Sequence, residues 1–135
     1  VFVNKFSKTF ERGDEVVFHA NETDDYIKRI IGVPGDTIEY KNDVLYVNGQ
    51  VVEEPYLTKK IQEAKASGNS PLTPDFNIEY LSSTKSKTVP EGTYFVLGDN
   101  RQHSTDSRVF GFVKKEAMIG KVSLRYYPFN TFKLF

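Results

Sequence analysis

Two asparagine-bearing turns constrain this chain more than any other feature. Asn48-Gly49 joins two residues that tolerate positive φ, which fits a two-residue hairpin turn between residues 44–47 and 50–53. A second turn around Asn42-Asp43 joins residues 37–40 to 44–47, so three short strands are predicted in close succession. The same rhythm extends in both directions. Residues 1–3, 15–20, 26–33, 94–97 and 121–127 carry the Val, Ile, Phe and Tyr that strands favour. Turn signals separate them at Arg12-Gly13-Asp14, residues 21–24, Pro34-Gly35-Asp36 and Gly98-Asp99-Asn100. Many short strands with turns between them predict a mostly β fold of antiparallel sheets, a β-sandwich or barrel with one or two short helices. The helices are expected at residues 58–66 and, as a single turn, at 114–118.

Composition narrows the class. The 135 residues suit one domain, 1–135, with a real but modest core. Apolar residues at 39% and charged ones at 27% describe a globular chain and not a disordered one. The 18 basic and 18 acidic residues balance, and no basic aromatic stripe stands out, so no nucleic-acid partner is expected. The absence of cysteine excludes disulfides, zinc–thiolate sites and cysteine nucleophiles. His19 and His103 lack ligand spacing, so no metal site is expected. No window approaches the ~18 consecutive apolar residues of a membrane helix, and no signal peptide opens the chain. Residues 57–87 differ from the rest: polar, Ser/Thr-rich and broken at Ser67-Gly68-Asn69-Ser70-Pro71, they are expected to form a partly mobile surface insertion.

Lys28 stands inside the β-branched run Tyr26-Ile27-Lys28-Arg29-Ile30-Ile31. Side chains alternate along a strand, so Lys28 and Arg29 point to opposite faces. One must face inward or lie at a sheet edge. An edge charge that blocks aggregation is one reading. A lysine partly buried, and so held neutral and able to act as a base, is the other. Gly98-Asp99-Asn100-Arg101-Gln102-His103-Ser104-Thr105-Asp106-Ser107-Arg108 is the second dense cluster. Its two aspartates and two arginines are expected to pair within the segment and fix its shape; a solvated loop with Asx turns is the plainer reading. His103 and Ser104 are adjacent and face apart, which argues against a Ser-His-Asp triad. Gly32-Val33-Pro34-Gly35-Asp36 is a turn and not a phosphate loop, because no Lys-Ser/Thr and no helix follow it.

Taken together, these segments resemble the boxes of type I signal peptidases. Arg12-Gly13-Asp14-Glu15-Val16-Val17-Phe18 is similar to their R-G-D-x-V-V-F box. Residues 25–36, from Asp25-Tyr26-Ile27-Lys28-Arg29 to Pro34-Gly35-Asp36, are similar to the lysine box Y-[VI]-K-R-x-I-G-x-P-G-D. Residues 98–108 resemble the box G-D-N-R-x-x-S-x-D-S-R, and Lys121-Val122-Ser123-Leu124-Arg125-Tyr126-Tyr127-Pro128 extends the likeness. The compact insertion and the Asn48-Gly49 hairpin resemble the Gram-positive members.

The resemblance implies a serine–lysine endopeptidase, without metal or cofactor, on the extracytoplasmic face of the plasma membrane, removing signal peptides from exported preproteins. Lys28 then matches the general base and Ser104 the hydroxyl that orients it. Asp99, Arg101, Asp106 and Arg108 match a supporting network. Val17, Asp25, Tyr26 and Ile27 match substrate-binding positions, near pockets for small side chains at −1 and −3. The family's first box, S-M-x-P-T/S, which supplies the nucleophile and part of the oxyanion hole, has no match in the chain. That box and an N-terminal membrane anchor are expected upstream of Val1. An apolar surface from Val1, Val3, Val17 and Ile27 is expected beside Lys28, facing the signal peptide and the membrane surface. The alternative is a relative that has lost catalysis and acts as an assembly or chaperone factor for surface proteins such as pilins. Retention of Lys28 and Ser104 argues against it.

Overall fold

A computed structural model of the chain describes residues 2–4 and 9–123. Its elements are β1 (Phe2–Asn4), β2 (Glu15–His19), β3 (Asp25–Gly32), β4 (Ile38–Lys41), β5 (Val44–Val47), β6 (Gln50–Val52), a 3-10 turn (Pro55–Leu57), α1 (Thr58–Ala66), β7 (Phe76–Asn77), β8 (Thr93–Leu97), α2 (Ser107–Phe110), β9 (Val113–Lys114), a second 3-10 turn (Lys115–Ala117) and β10 (Met118–Ser123). Val1 and the expected strand residues past Ser123 lie outside the described residues.

The strands form two antiparallel sheets, one of order β1-β10-β2-β3-β8-β9 and one of order β6-β5-β4-β7. The tight turns make the smaller sheet possible. Asn42 and Asp43 (φ 53° and 64°) and then Asn48 and Gly49 (φ 55° and 79°) all sit in the left-handed region. Only residues with short polar side chains, or none, hold that region at low cost. The register that follows places Ile38 opposite Val47 and Tyr40 opposite Leu45, so one face of the hairpin is apolar.

Alternation then divides the core. Ile31 of β3 and Phe95 and Leu97 of β8 meet Ile38, Tyr40, Leu45 and Val47 of the smaller sheet, which makes this cluster the layer between the sheets. Ile30 and Val96 turn to the other face of the large sheet, where they join Val16, Phe18 and Tyr94. Each side chain of this kind that is fully buried contributes about 1.5–3 kcal/mol. The Arg12-Gly13-Asp14 turn is fastened to the same frame: the Arg12 guanidinium donates to both oxygens of Asp36 at 2.7 and 2.8 Å. The Asn48 amide reaches that carboxylate too, at 2.9 Å. Burial works to raise the Asp36 carboxyl, and these donors, with the Val33 N–H, hold it below its ordinary value.

Residues 57–87 cover the smaller sheet. Most of their polar side chains are exposed, Thr73 excepted, while Leu57, Ala64 and Leu72 form a cluster of their own. Ile78 enters the layer between the sheets. β7 adds to the sheet through Glu39↔Asn77 and Tyr40↔Phe76. Asp43, in the β4–β5 turn, accepts the backbone N–H groups of Leu72 and Thr73 at 2.8 and 2.7 Å.

Candidate active site

The site forms where β3 parts from β8. β3 pairs with β2 along Glu15↔Arg29, Val16↔Lys28, Val17↔Ile27, Phe18↔Tyr26 and His19↔Asp25. Its pairing with β8 begins at Arg29↔Leu97. Among the described residues, the stretch 25–28 is therefore laddered on its β2 side alone. Beyond Leu97 the chain leaves the sheet and folds back as the loop 98–106, ending in α2. Lys28 and Ser104, 76 residues apart in sequence, meet in the gap: the Lys28 amino group donates to Ser104 Oγ at 3.1 Å.

Alternation sets what surrounds each charge. Lys28 shares a face with Tyr26, whose ring centre lies 5.4 Å from Nζ. Lys28 is partly buried, and burial lowers its proton affinity below the ordinary lysine value. The Asp106 carboxylate opposes that shift and the Arg108 guanidinium adds to it. Arg29 faces the other way. It grips Asp99 with two hydrogen bonds, 3.0 and 2.7 Å, and lies 3.8 Å above the Tyr56 ring.

The loop is held by buried polar groups. Asp106 is fully buried; it accepts the Gly98 N–H at 3.0 Å and two guanidinium bonds from Arg108 at 2.9 and 2.8 Å. It also accepts the Arg108 N–H as the cap of α2. Burial works to raise the Asp106 carboxyl, yet the bonds from Arg108 and Gly98 outweigh it and hold the group below its ordinary value. Arg108 in turn donates to the Arg101 carbonyl at 3.0 Å. The Arg101 side chain is fully buried and donates to the Gly98 carbonyl at 2.8 Å and to Glu54 at 2.8 Å. The expected pairing inside the loop thus holds for Asp106–Arg108 only. Asp99 and Arg101 pair outward, because the loop runs between the two sheets and each has a closer partner there.

Gly98 is the contact point. A Cβ built on it would stand 2.0 Å from Ser104 Oγ, 2.7 Å from Ser104 Cβ and 3.3 Å from Lys28 Nζ. The absence of a side chain is what lets Lys28 and Ser104 meet over this peptide.

A cleft of about 250 Å³ opens at the pair, lined among others by Glu15, Ile27, Lys28, Asn100, His103 and Ser104. Ile27 is exposed, and Val17, its ladder partner, is partly buried. Tyr26 sits between Phe18 and Phe110, each ring centre 6.1 Å away. Phe110 of α2 is exposed and packs on Tyr26, so the apolar surface beside Lys28 includes a residue outside the expected set. Val1 and the side chain of Val3 fall outside the described residues. Asp25 lies at the far end of β3, paired with His19 at 2.7 Å on the surface. Four residues of the site escaped the sequence reading: Glu54, Tyr40, Tyr56 and Ser107. The buried Ser107 hydroxyl accepts the Val96 N–H at 2.9 Å. Only Ser107 sat inside a recognised box. Among the described residues no group of three or more His, Cys, Asp or Glu could hold a metal ion, and no helix is long and apolar enough to cross a membrane.

Comparison with known proteins identifies the family. The family model described as "Signal peptidase, peptidase S26" matches residues 1–127. Signal peptidase IB of Staphylococcus aureus (strain Mu50) is 50% identical over 125 residues, 91% of this chain and 64% of the relative. Signal peptidase I of Bacillus caldolyticus is 51% identical over 135 residues, 98% of this chain and 71% of the relative. The chain therefore spans just under two thirds of the staphylococcal protein. The crystal structure of a signal peptidase I from Enterococcus faecalis V583 superposes with a TM-score of 0.78 at 45% identity, covering 85% of this chain and 97% of that one. The chain belongs to the signal peptidase family, peptidase S26.

Proposed function

We propose that this chain is the substrate-processing domain of a signal peptidase I, a serine endopeptidase that removes signal peptides from exported preproteins at the extracytoplasmic face of the plasma membrane. The contact between Lys28 Nζ and Ser104 Oγ, 3.1 Å long and partly buried, carries this reading. Burial lowers the Lys28 proton affinity, which raises the fraction of neutral amine available as a base.

In this reading Lys28 takes the proton of a nucleophilic serine as its oxygen attacks the scissile carbonyl. The resulting ammonium gives that proton to the departing amine. A water then attacks the acyl-enzyme as Lys28 takes its proton, and Lys28 returns that proton to the serine oxygen as the ester bond breaks. The serine belongs to the family's S-M-x-P box, which no residue here matches. The Ser104 hydroxyl holds the amine in place, and Asp106 and Arg108 hold the loop that carries Ser104. The strand edge at 25–28, open opposite β2, accepts the signal peptide as an added strand. Tyr26, Ile27 and Val17 then lie beside its small side chains.

The test is a signal-peptide cleavage assay on the chain alone and on the chain preceded by a family serine box and anchor. Cleavage is expected only from the second. In that active form Lys28→Ala abolishes turnover with little change in the unfolding transition, since it removes the base and also relieves a desolvation cost. Activity of the wild type rises with pH through the Lys28 ionisation, in a window below the ordinary lysine value of about 10.4. Turnover by the chain alone would show the nucleophile to be wrongly placed; no turnover by the extended form, or retention of its activity in Lys28→Ala, sinks the assignment.

A further inference from the structure

Glu54 belongs to none of the recognised boxes, yet its carboxylate gathers bonds from three residues next to the site, Tyr40, Tyr56 and Arg101. It follows β6, and its side chain is 5% exposed. One oxygen, Oε2, accepts from the Tyr40 hydroxyl, from the Tyr56 hydroxyl at 3.2 Å and from Arg101 Nη2 at 2.8 Å. Each of these partners leads toward the site. Arg101 Nε donates to the Gly98 carbonyl at 2.8 Å, while the Gly98 N–H is taken by Asp106 at 3.0 Å. Both backbone polar groups of Gly98 are thereby fixed, one in each peptide that flanks its Cα. Gly98 is the residue over which Lys28 and Ser104 meet. Tyr56 leads by a second route, since its ring lies 3.8 Å from the guanidinium of Arg29, the neighbour of Lys28 on β3.

We propose that Glu54 is a positioning residue for the Lys28–Ser104 pair, acting through Arg101 on the Gly98 peptide and through Tyr56 on Arg29. A fully buried guanidinium must keep a carboxylate or be drawn toward water. Arg101 cannot move toward water without releasing the Gly98 carbonyl, and the backbone under Ser104 loosens with it. The smaller sheet, which carries Tyr40, thus sets the geometry of a site built on the larger one. This role takes from the peptidase reading the functional meaning of the pair; the contacts themselves stand without it.

The ionisation midpoint of Lys28, read by NMR on the chain labelled with ¹⁵N-lysine, separates positioning from plain stabilisation. Glu54→Leu combined with Arg101→Met removes two opposite charges together and replaces them with apolar groups of similar size, which preserves folding in comparable cases. The charged and titratable groups around Lys28 are Tyr26 on its own face, Asp106 and Arg108, and, along the cleft, Glu15, Arg29, Asp99 and His103, and all stay unchanged. The double variant is expected to fold, with an unfolding temperature somewhat below wild type, because the Tyr40 hydroxyl and the Gly98 carbonyl lose partners. Its Lys28 midpoint is expected to rise by about one unit, a tenfold gain in proton affinity, as the released loop admits water. In the active peptidase form kcat falls about tenfold with KM little changed, as for a loss felt in the transition state. Tyr40→Phe removes a single hydroxyl from the same cluster and is expected to shift the midpoint the same way by less. Val47→Ala, in the same sheet but outside the cluster, lowers the unfolding temperature and leaves the Lys28 midpoint in place.

An unchanged Lys28 midpoint in a folded double variant overturns the proposal. So does a midpoint shift of equal size in Val47→Ala, because general loosening would then suffice. If the double variant does not fold, Tyr40→Phe decides: an upward shift supports the role and no shift overturns it. Failure of the wild-type peptidase form to cleave signal peptides would remove the peptidase reading alone, since the titration does not depend on turnover.

Discussion

The loop 98–108 and the segment 57–87 are both polar in sequence, and they solve opposite problems. In the loop the buried anchors are polar: Arg101 is 1% exposed, and Asp106 and Ser107 are wholly buried. In the segment the anchors are apolar, with Leu57 at 1%, Leu72 at 8% and Ile78 at 0%. Thr73 is its buried polar residue, and it faces the loop, taking a bond from Arg101 at 3.3 Å. Polarity alone does not say which way a stretch faces. What decides it is whether the polar groups can satisfy one another once out of water. The loop's groups can, and no buried side-chain polar atom among the described residues lacks a partner.

The sharpest way to break this contrast is Asp106→Asn. The variant leaves Arg108 and the Gly98 N–H facing an uncharged amide. Breaking a buried pair from one side costs about 3–5 kcal/mol, and the low end applies because Arg108 retains some contact with water. The pH dependence gives a second signature. Because the native Asp106 carboxyl is held below its ordinary value, its contribution is fully present above the unfolded value, about pH 4, and is lost as pH falls through the native value. Chemical denaturation across the acid range is expected to show a shallower loss of stability in Asp106→Asn than in wild type. A wild-type stability independent of pH below about 4 would contradict the assignment.

Gly98→Ala probes the same loop through sterics alone. The new methyl carbon would stand 2.0 Å from Ser104 Oγ and 2.7 Å from Ser104 Cβ. Rotating the hydroxyl does not cure a clash with Cβ, and Asp106 holds the loop on the far side of Ser104. The pair is forced open. A misplacement on the scale of 1 Å costs about 100-fold in rate, or about 2.7 kcal/mol in activation energy. The expected result is a fall of that size in kcat/KM of the active peptidase form, with its circular dichroism spectrum retained.

How much of this was legible in the sequence follows the range of the interactions. The hairpins were, because Asn42, Asp43, Asn48 and Gly49 act through their own φ angles. The limits of α1 were, at Thr58–Ala66. Opposite facing of Lys28 and Arg29 followed from strand alternation, but that argument left open which of them faced a base's environment; the resemblance to a family motif decided it. The partners of the loop were not legible from local pattern. Arg29 meets Asp99 across 70 residues and Arg101 meets Glu54 across 47, so no spacing rule connects them. Two-residue bridges such as β7 and β9 escaped for a related reason: they carry no periodicity and exist because a neighbouring strand presents its edge. The short helix α2 was hidden in a polar run, because the residue that caps it, Asp106, reads equally well as a turn residue.

Leu57→Ala carries the smallest of these effects and tests the other half of the contrast. Leu57 is 1% exposed and packs with Ala64 and Leu72 beneath α1, where Tyr56 and Ile61 border it. Truncation leaves a cavity in a small satellite cluster whose helix can settle inward. The cost is therefore expected near the lower end for a buried leucine, about 2 kcal/mol. Because the segment is anchored by apolar contacts, that loss is independent of pH in the acid range, unlike the loss in Asp106→Asn. Its position next to Tyr56 makes it informative about the site as well. If Leu57 only holds the segment down, kcat/KM per folded molecule stays at the wild-type value while urea unfolding moves to lower concentration. If activity falls in proportion to the cavity, the anchors of the segment reach the Lys28–Ser104 pair through Tyr56, and the division between a polar, site-forming loop and an apolar, sheet-covering segment does not hold.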